Sequence, residues 1–314
     1  MEHELLEKIQ NEDKRDFLQP DDLIPAFQPF MQLSQSAGWG LIQAGILDIH
    51  KSNKGAGIKV AVLDTGGSDH VELIENIVAN YDCTGHADPM DRQGHGTHVA
   101  GIIAAKDNDL GVLGVAPEAK IYCMKVLDNN GRGGYATIEA GLRKAMDEGV
   151  DIINMSLGAP GMPPESFHEV IKECYNRGIF IIAAAGNDGQ KVNWPAAYDE
   201  VVAIGAINEN GDLTDFSSRG SEISVIAPGD NIYSTWLNNG FAVLRGTSQA
   251  SPFVAGICAL ILSASRANPD LPQIKTLQDL YAELNKLCDP KGRLLDGKDG
   301  NFGFGIPKFP INKC

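Results

Sequence analysis

A hydroxyl, an imidazole, a carboxylate and a carboxamide each stand in this sequence at a place where a strand ends or a helix begins. Ser248 lies in Gly246-Thr247-Ser248, ahead of Gln249-Ala250-Ser251-Pro252 and a long apolar run. A hydroxyl held at a helix start can become a nucleophile, although Gly-Thr-Ser also occurs in ordinary strand-to-helix turns. Asp64 directly follows the apolar run Ile58–Leu63, where a carboxylate can orient a partner or merely cap a turn. His95, in Gly94-His95-Gly96-Thr97-His98-Val99-Ala100-Gly101, is placed to open a helix and is a candidate general base. Zinc binding by His95 and His98 is the rival, but a zinc-protease helix sets two histidines four apart with a glutamate between them. Here they are three apart with no carboxylate between, and His98 reads as structural. Asn187, in Ala183-Ala184-Ala185-Gly186-Asn187-Asp188-Gly189, can donate a hydrogen bond to a developing oxyanion or can be a plain turn asparagine.

Such groups act together only if the fold brings strand ends and helix starts to one edge. Continuous apolar runs at Ile58–Leu63, Lys120–Val126, Asp151–Met155, Ile179–Ala184, Val201–Ile204 and Ile223–Ile226 read as parallel strands buried on both faces. Helical patterns fall between or after them at His95–Ala105, Tyr135–Glu148, Pro164–Arg177 and Ser251–Ser265. The alternation predicts an α/β fold, a doubly wound, mostly parallel sheet with helices on both faces and its site at the carboxyl ends of the strands. With 314 residues, 43% of them hydrophobic, the chain can bury a large core. Residues 1–34, charge-rich and then proline-bearing, read as an N-terminal extension, and 35–314 as the main domain.

The formal charge, 26 basic against 41 acidic residues or −15, excludes a nucleic-acid partner, which needs a basic footprint. No uninterrupted apolar run approaches the roughly 18 residues of a membrane span, and the charged first ten residues lack a signal-peptide core. Both point to a cytoplasmic protein, or to a secreted one if a leader has been lost. The six cysteines are scattered, with no C-x-x-C pair; they are expected to be reduced, and Cys288 with Cys314 is the only pair considered for a disulfide.

Asp64, His95, Asn187 and Ser248 occur in this order, each inside its own extended motif, and the chain resembles the subtilisin family of serine proteases, most closely the intracellular subtilisins. The resemblance runs from about Gln35 to Pro307 and takes in Gly111-Val112-Leu113-Gly114-Val115-Ala116-Pro117 and Asn154-Met155-Ser156-Leu157-Gly158. It implies a serine endopeptidase: Ser248 attacks the scissile carbonyl, His95 takes and returns the proton, Asp64 orients the imidazole, and Asn187 with the Ser248 N–H binds the oxyanion. These roles come from the family. The rival is a catalytically silent subtilisin-like binding or regulatory protein, whose mark would be a missing triad member; none is missing.

The same resemblance implies that substrate protein lies as an extended strand between Gly131-Arg132-Gly133 and Ser156-Leu157-Gly158. Tyr135 stands at the pocket for the fourth residue before the cut, while Ala184, Gly186 and Asn193 belong to the first pocket. Asn193 falls where the family often has glycine, so this pocket is expected to be shallow and polar, favouring Leu, Met or basic residues over large aromatics. Gln249 and Phe253 replace the usual methionine and histidine, and Gln249 should leave the enzyme resistant to peroxide. A calcium ion is implied at the Asn108 side chain, the carbonyls of Lys106, Leu110 and Val112, Gln35, and Glu72 in place of the usual aspartate. A weaker second cation site is nominated at the carbonyls of Ala196, Tyr198 and Val201. Leu23-Ile24-Pro25 is similar to an inhibitory segment of intracellular subtilisins and makes the chain a candidate zymogen, with a homodimer as the candidate assembly.

Overall fold

The structure, a computed structural model, describes residues 34–289 and 300–310 together with the backbone of residues 15–16. Seven parallel strands form its central sheet: β2 (Lys59–Asp64), β3 (Ile77–Asp82), β4 (Lys120–Lys125), β6 (Ile152–Met155), β7 (Phe180–Ala184), β8 (Val201–Ile207) and β9 (Ile223–Pro228). Their order is β3-β4-β2-β6-β7-β8-β9. The chain therefore passes from β2 to the edge strand β3, steps back to β4, and crosses β2 to β6, from which it winds the other way to β9. That reversal opens a crevice at the carboxyl ends of the two strands, and β2 ends on Asp64 there.

The strands expected from apolar runs are present within a few residues of the expected bounds. Most are buried along their whole length, because helices cover both faces of the sheet. On one face pack α3 (His95–Ala104) and the 21-residue α6 (Thr247–Ala267); on the other, α4 (Tyr135–Asp147) and α5 (Glu165–Asn176). By length and composition α6 could cross a membrane, but it is mostly buried against β6, β7, β8 and α3 as a core helix. Two short helices, α1 (Trp39–Gln43) and α2 (Ile46–Ile49), precede the sheet, and α7 (Leu277–Leu287) follows it.

Small two-stranded pairings surround this frame. A hairpin of β10 (Ile232–Thr235) and β11 (Phe241–Leu244) lies against α3. Near the end of the described chain, β12 (Cys288–Asp289) pairs with β13 (Ile306–Pro307) beside β9. At the front, β1 (Arg15–Asp16) runs antiparallel to β5 (Arg132–Gly133), Arg15 opposite Gly133 and Asp16 opposite Arg132.

Helix α6 begins at Thr247, four residues before the expected start, so Ser248 lies in its first turn. Pro252 sits inside the helix and has no N–H to give to the carbonyl four residues back. That carbonyl belongs to Ser248, and the Ser156 hydroxyl donates to it instead (2.8 Å).

Candidate active site

Asp64 is fully buried at the end of β2. Its Oδ1 accepts the Thr65 N–H (2.8 Å) and lies 2.7 Å from His95 Nδ1, while Oδ2 is buried without a partner. This bond fixes the imidazole tautomer, since a carboxylate facing Nδ1 leaves Nε2 as the basic nitrogen. Helix α3 comes this close because residue 96 is glycine: a Cβ there would lie 2.6 Å from the Gly66 carbonyl. Gly96 N–H donates to the Thr65 hydroxyl (2.9 Å), and His95 N–H to Gln93 Oε1 (2.8 Å). Buried Asp91 accepts from the Thr65 hydroxyl and from the N–H groups of Gln93, Gly94 and Thr97, binding the Asp64 turn to the start of α3. Lys125, 2% exposed, donates to the carbonyls of Thr65 and Met90 and to Asn129 Oδ1. Burial lowers the pKa of its ammonium from the ordinary value.

Ser248 stands at the start of α6, 5% exposed, with its hydroxyl donating to the Ser156 carbonyl (3.3 Å). Around it runs a polar chain: Ser251 donates to Asn154 Oδ1 (2.8 Å), and Asn154 Nδ2 to the Ser156 hydroxyl (2.9 Å). Asn187 Oδ1 accepts both the N–H and the hydroxyl of Thr247 (2.8 Å each), so its oxygen end is committed to the turn before Ser248. The Nδ2 end is the one turned away from Thr247. Leu157, Gly158, Ala184, Gly186, Asn187, Thr247 and Ser248 line one small cavity of about 10 Å³, about the least that a water molecule needs. Asn193 packs behind its two glycines. Gln249, beside the nucleophile candidate, is buried with both ends of its amide unpartnered.

The two segments expected to edge a substrate cleft have different surroundings. Gly131 closes a turn in which Asp128 N–H donates to the Arg132 carbonyl (2.7 Å), and Arg132–Gly133 then pairs with β1. Tyr135 is buried beside Phe167, ring centroids 5.1 Å apart. His98 is buried away from the cleft: its Nε2 lies 3.1 Å from the Ile232 carbonyl and 3.2 Å from that of Ala242, and desolvation pushes its pKa down to about 3. A neutral histidine holding a hairpin is a structural one.

The nominated calcium residues also meet. Gln35 Nε2 reaches the carbonyls of Lys106 (2.5 Å) and Val112 (3.2 Å). Glu72 is 3% exposed; Oε1 faces Asn108 Nδ2 at 3.3 Å, and Oε2 is buried without a partner. Burial raises the Glu72 pKa, and the Asn108 amide and the Lys106 charge offset this only in part. Turning the Gln35 amide end for end would set its oxygen beside the two carbonyls, and the residues fit a hard cation on this orphaned oxygen and all-oxygen donor set. Among the described residues no cluster of three His, Cys, Asp or Glu side chains forms a metal site. At the weaker nominated site, the Tyr198 carbonyl already accepts the Val201 N–H (3.1 Å). Leu23, Ile24 and Pro25 lie outside the described residues.

Sequence reasoning missed Gln93, Asp91, Lys125 and Thr247 as supports of the site. Thr247 carries a signal in retrospect, as the hydroxyl residue inside Gly-Thr-Ser. The pairing of Arg15–Asp16 with β5 had none, because a charged dipeptide has no strand pattern.

Residues 55–291 match the family model described as Peptidase_S8, subtilase family. Subtilisin DY of Bacillus licheniformis is 45% identical over 216 residues, covering 67% of this chain and 78% of that protein. The intracellular serine protease of Paenibacillus polymyxa is 41% identical over 256 residues, 78% of each chain. The minor extracellular protease Epr of Bacillus subtilis (strain 168) is 40% identical over 258 residues, 81% of this chain, which spans only 38% of Epr.

Proposed function

The chain belongs to the subtilase family and is a serine endopeptidase, and from that premise we propose that Ser248, His95 and Asp64 are its nucleophile, general base and orienting carboxylate. The observation that carries this reading is the 2.7 Å contact between His95 Nδ1 and buried Asp64 Oδ1 at the edge where Ser248 opens α6. For the attack, the Ser248 hydroxyl exchanges the Ser156 carbonyl for the imidazole as its acceptor. His95 then takes the proton as Ser248 attacks the peptide carbonyl, and Asp64 stabilises the imidazolium. Asn187 Nδ2 and the Ser248 N–H, at the positive end of α6, meet the oxyanion. The proton returns to the leaving amine, and water, activated by the same imidazole, releases the acyl group.

Residues 35–314 are assigned as the catalytic domain and 1–34 as a restraining extension, which makes the protein a zymogen. The support is β1: Arg15–Asp16 occupies the edge strand Arg132–Gly133 that a substrate strand would use. The contact lies upstream of Leu23-Ile24-Pro25, the segment nominated from sequence. Calcium, held by Gln35, Glu72, Asn108 and the carbonyls of Lys106, Leu110 and Val112, would give the unpartnered Glu72 Oε2 a cation to bind. The similarity to a protein named intracellular serine protease favours a cytoplasmic setting.

Labelling with phenylmethylsulfonyl fluoride tests the assignment. The adduct is expected on Ser248 by mass spectrometry, with casein hydrolysis lost in parallel. Labelling elsewhere, or full hydrolysis by Ser248→Ala, would sink it.

A further inference from the structure

Lys125, at the end of β4, is the only lysine or arginine buried among the described residues. Its ammonium has three protons and meets three oxygens: the carbonyls of Thr65 (2.6 Å) and Met90 (3.2 Å) and Asn129 Oδ1 (3.0 Å). Each acceptor lies in a segment that serves the proposed site. Thr65 follows Asp64. Met90 precedes Asp91, which holds the start of α3 and with it His95. Asn129 stands in the 128–132 turn that leads into the edge strand Arg132–Gly133.

Backbone bonds already fix the exit of β4, because the N–H groups of Val126 and Leu127 both donate to the Asp64 carbonyl (2.9 and 3.1 Å). The Lys125 side chain adds what they do not, a tie from that point to the edge turn and to the segment before α3. A buried charge is costly, and an apolar side chain of similar volume often packs as well or better. An ammonium kept there, with every proton used on a different segment, points to a role beyond packing.

We propose that Lys125 is a positioning residue whose ammonium locks the substrate-edge turn at Asn129 to the segments carrying Asp64 and His95, and that losing its proton opens the lock. A neutral amine brings two protons and a lone pair to the same three oxygens, so one tie is lost and the lone pair faces an oxygen. Burial lowers the Lys125 pKa from the ordinary 10.5. Asp91 and Asp88 before α3, Asp82 at the end of β3 and Asp128 in the edge turn oppose this without cancelling it. The Asp64 carboxylate on β2 is turned to the Thr65 N–H and to His95. The charged form holds the lock, so activity should fall as the pH rises through a value below 10.5. The inference rests on Asp64, His95 and Ser248 as the triad and on Arg132–Gly133 as an edge that receives substrate.

Steady-state kinetics on a peptide substrate, from about pH 7 to about pH 11, test it on the full-length protein after activation, with circular dichroism at each pH to confirm the fold. The wild type should lose kcat/KM about tenfold in one titration, the effect of a hydrogen bond to a charged group. Lys125→Met should show the lower value already at neutral pH and should not titrate over this range. Asn129 is exposed, so Asn129→Ala removes one tie with little strain on the fold. It should raise KM about fivefold and leave kcat unchanged. A folded wild type without the alkaline fall, the same fall in Lys125→Met, or an unchanged KM in Asn129→Ala overturns the proposal. If Lys125→Met does not fold, the wild-type profile and Asn129→Ala decide. A folded wild type with no activity, or activity kept by Ser248→Ala, overturns instead the triad on which the inference rests.

Discussion

Asn187 accepts two hydrogen bonds at one end of its amide. Its oxygen is tied to the N–H and hydroxyl of Thr247, which aims the nitrogen end away from that turn. On the proposed mechanism, Asn187→Ala should lower kcat by about 10²–10³ with little change in KM, as initial rates on a peptide substrate would show; the size is carried over from the family's oxyanion asparagine. Gln249 is the opposite case, an amide with no bond at either end and no exposure. A buried unpaired polar group costs about 1–3 kcal/mol, so Gln249→Met should raise the unfolding temperature. The thioether should also make the enzyme sensitive to peroxide, which residual activity after oxidation will reveal.

At the scale of elements, the hairpin β10–β11 and α3 form one unit. His98 Nε2 lies between the Ile232 and Ala242 carbonyls, and the hydroxyls of Ser234 and Thr235 donate to the carbonyls of His98 and Thr97 (2.8 Å each). His98 is held neutral, with its pKa pushed from 6.5 to about 3 by burial, and burial also lowers His50 and His70. Below pH 6.5 the unfolded chain takes up protons on these residues that the folded chain refuses, so stability falls as pH falls. For His98 the loss continues to about pH 3, at up to about 1.4 kcal/mol per pH unit. Urea melts of His98→Asn should show a shallower pH slope over that window, whatever its stability at pH 7.

These elements were unevenly legible. The central strands were readable because they are buried on both faces and hence continuously apolar. β3 was not: an edge strand reading Ile-Val-Ala-Asn-Tyr-Asp has its side chains mostly half-exposed. The hairpin was hidden for another reason, since its short strands are positioned by contacts with His98 and Thr97 of α3, 134 and more residues earlier in the chain. In the proposed site, Asp64, His95, Asn187 and Ser248 could be nominated from sequence because each sits in its own small-residue motif. Asp91 and Lys125 escaped because their partners are mostly backbone groups and hydroxyls, which leave no spacing to read. The start of α6 was placed late for a similar reason: Pro252 suggests a helix beginning, whereas the Ser156 hydroxyl lets the helix start before it.

At the scale of the whole molecule, the residues proposed to hold calcium bring together distant stretches of chain: Gln35, Glu72 and the 106–112 loop after α3. A cation there would bind the folded form alone and stabilise it by about 2.7 kcal/mol at a hundred times its dissociation constant. Calcium should therefore raise the unfolding temperature of the wild type and chelation should lower it. In Glu72→Gln the calcium-dependent gain should be largely lost, a comparison made by calorimetry. Equal gains in both proteins would remove Glu72 from the site.

The β1–β5 pairing sets a further expectation for a restrained enzyme. Arg15 and Asp16 belong to the same chain as the edge they cover, so their local concentration is set by the tether and not by the amount of protein in the tube. Latency should be unaffected by dilution before the extension is cut. After the cut the same segment becomes an ordinary weak ligand, and dilution alone should release it. Assays across a hundredfold range of enzyme concentration, before and after maturation, would show this change from a first-order to a second-order restraint.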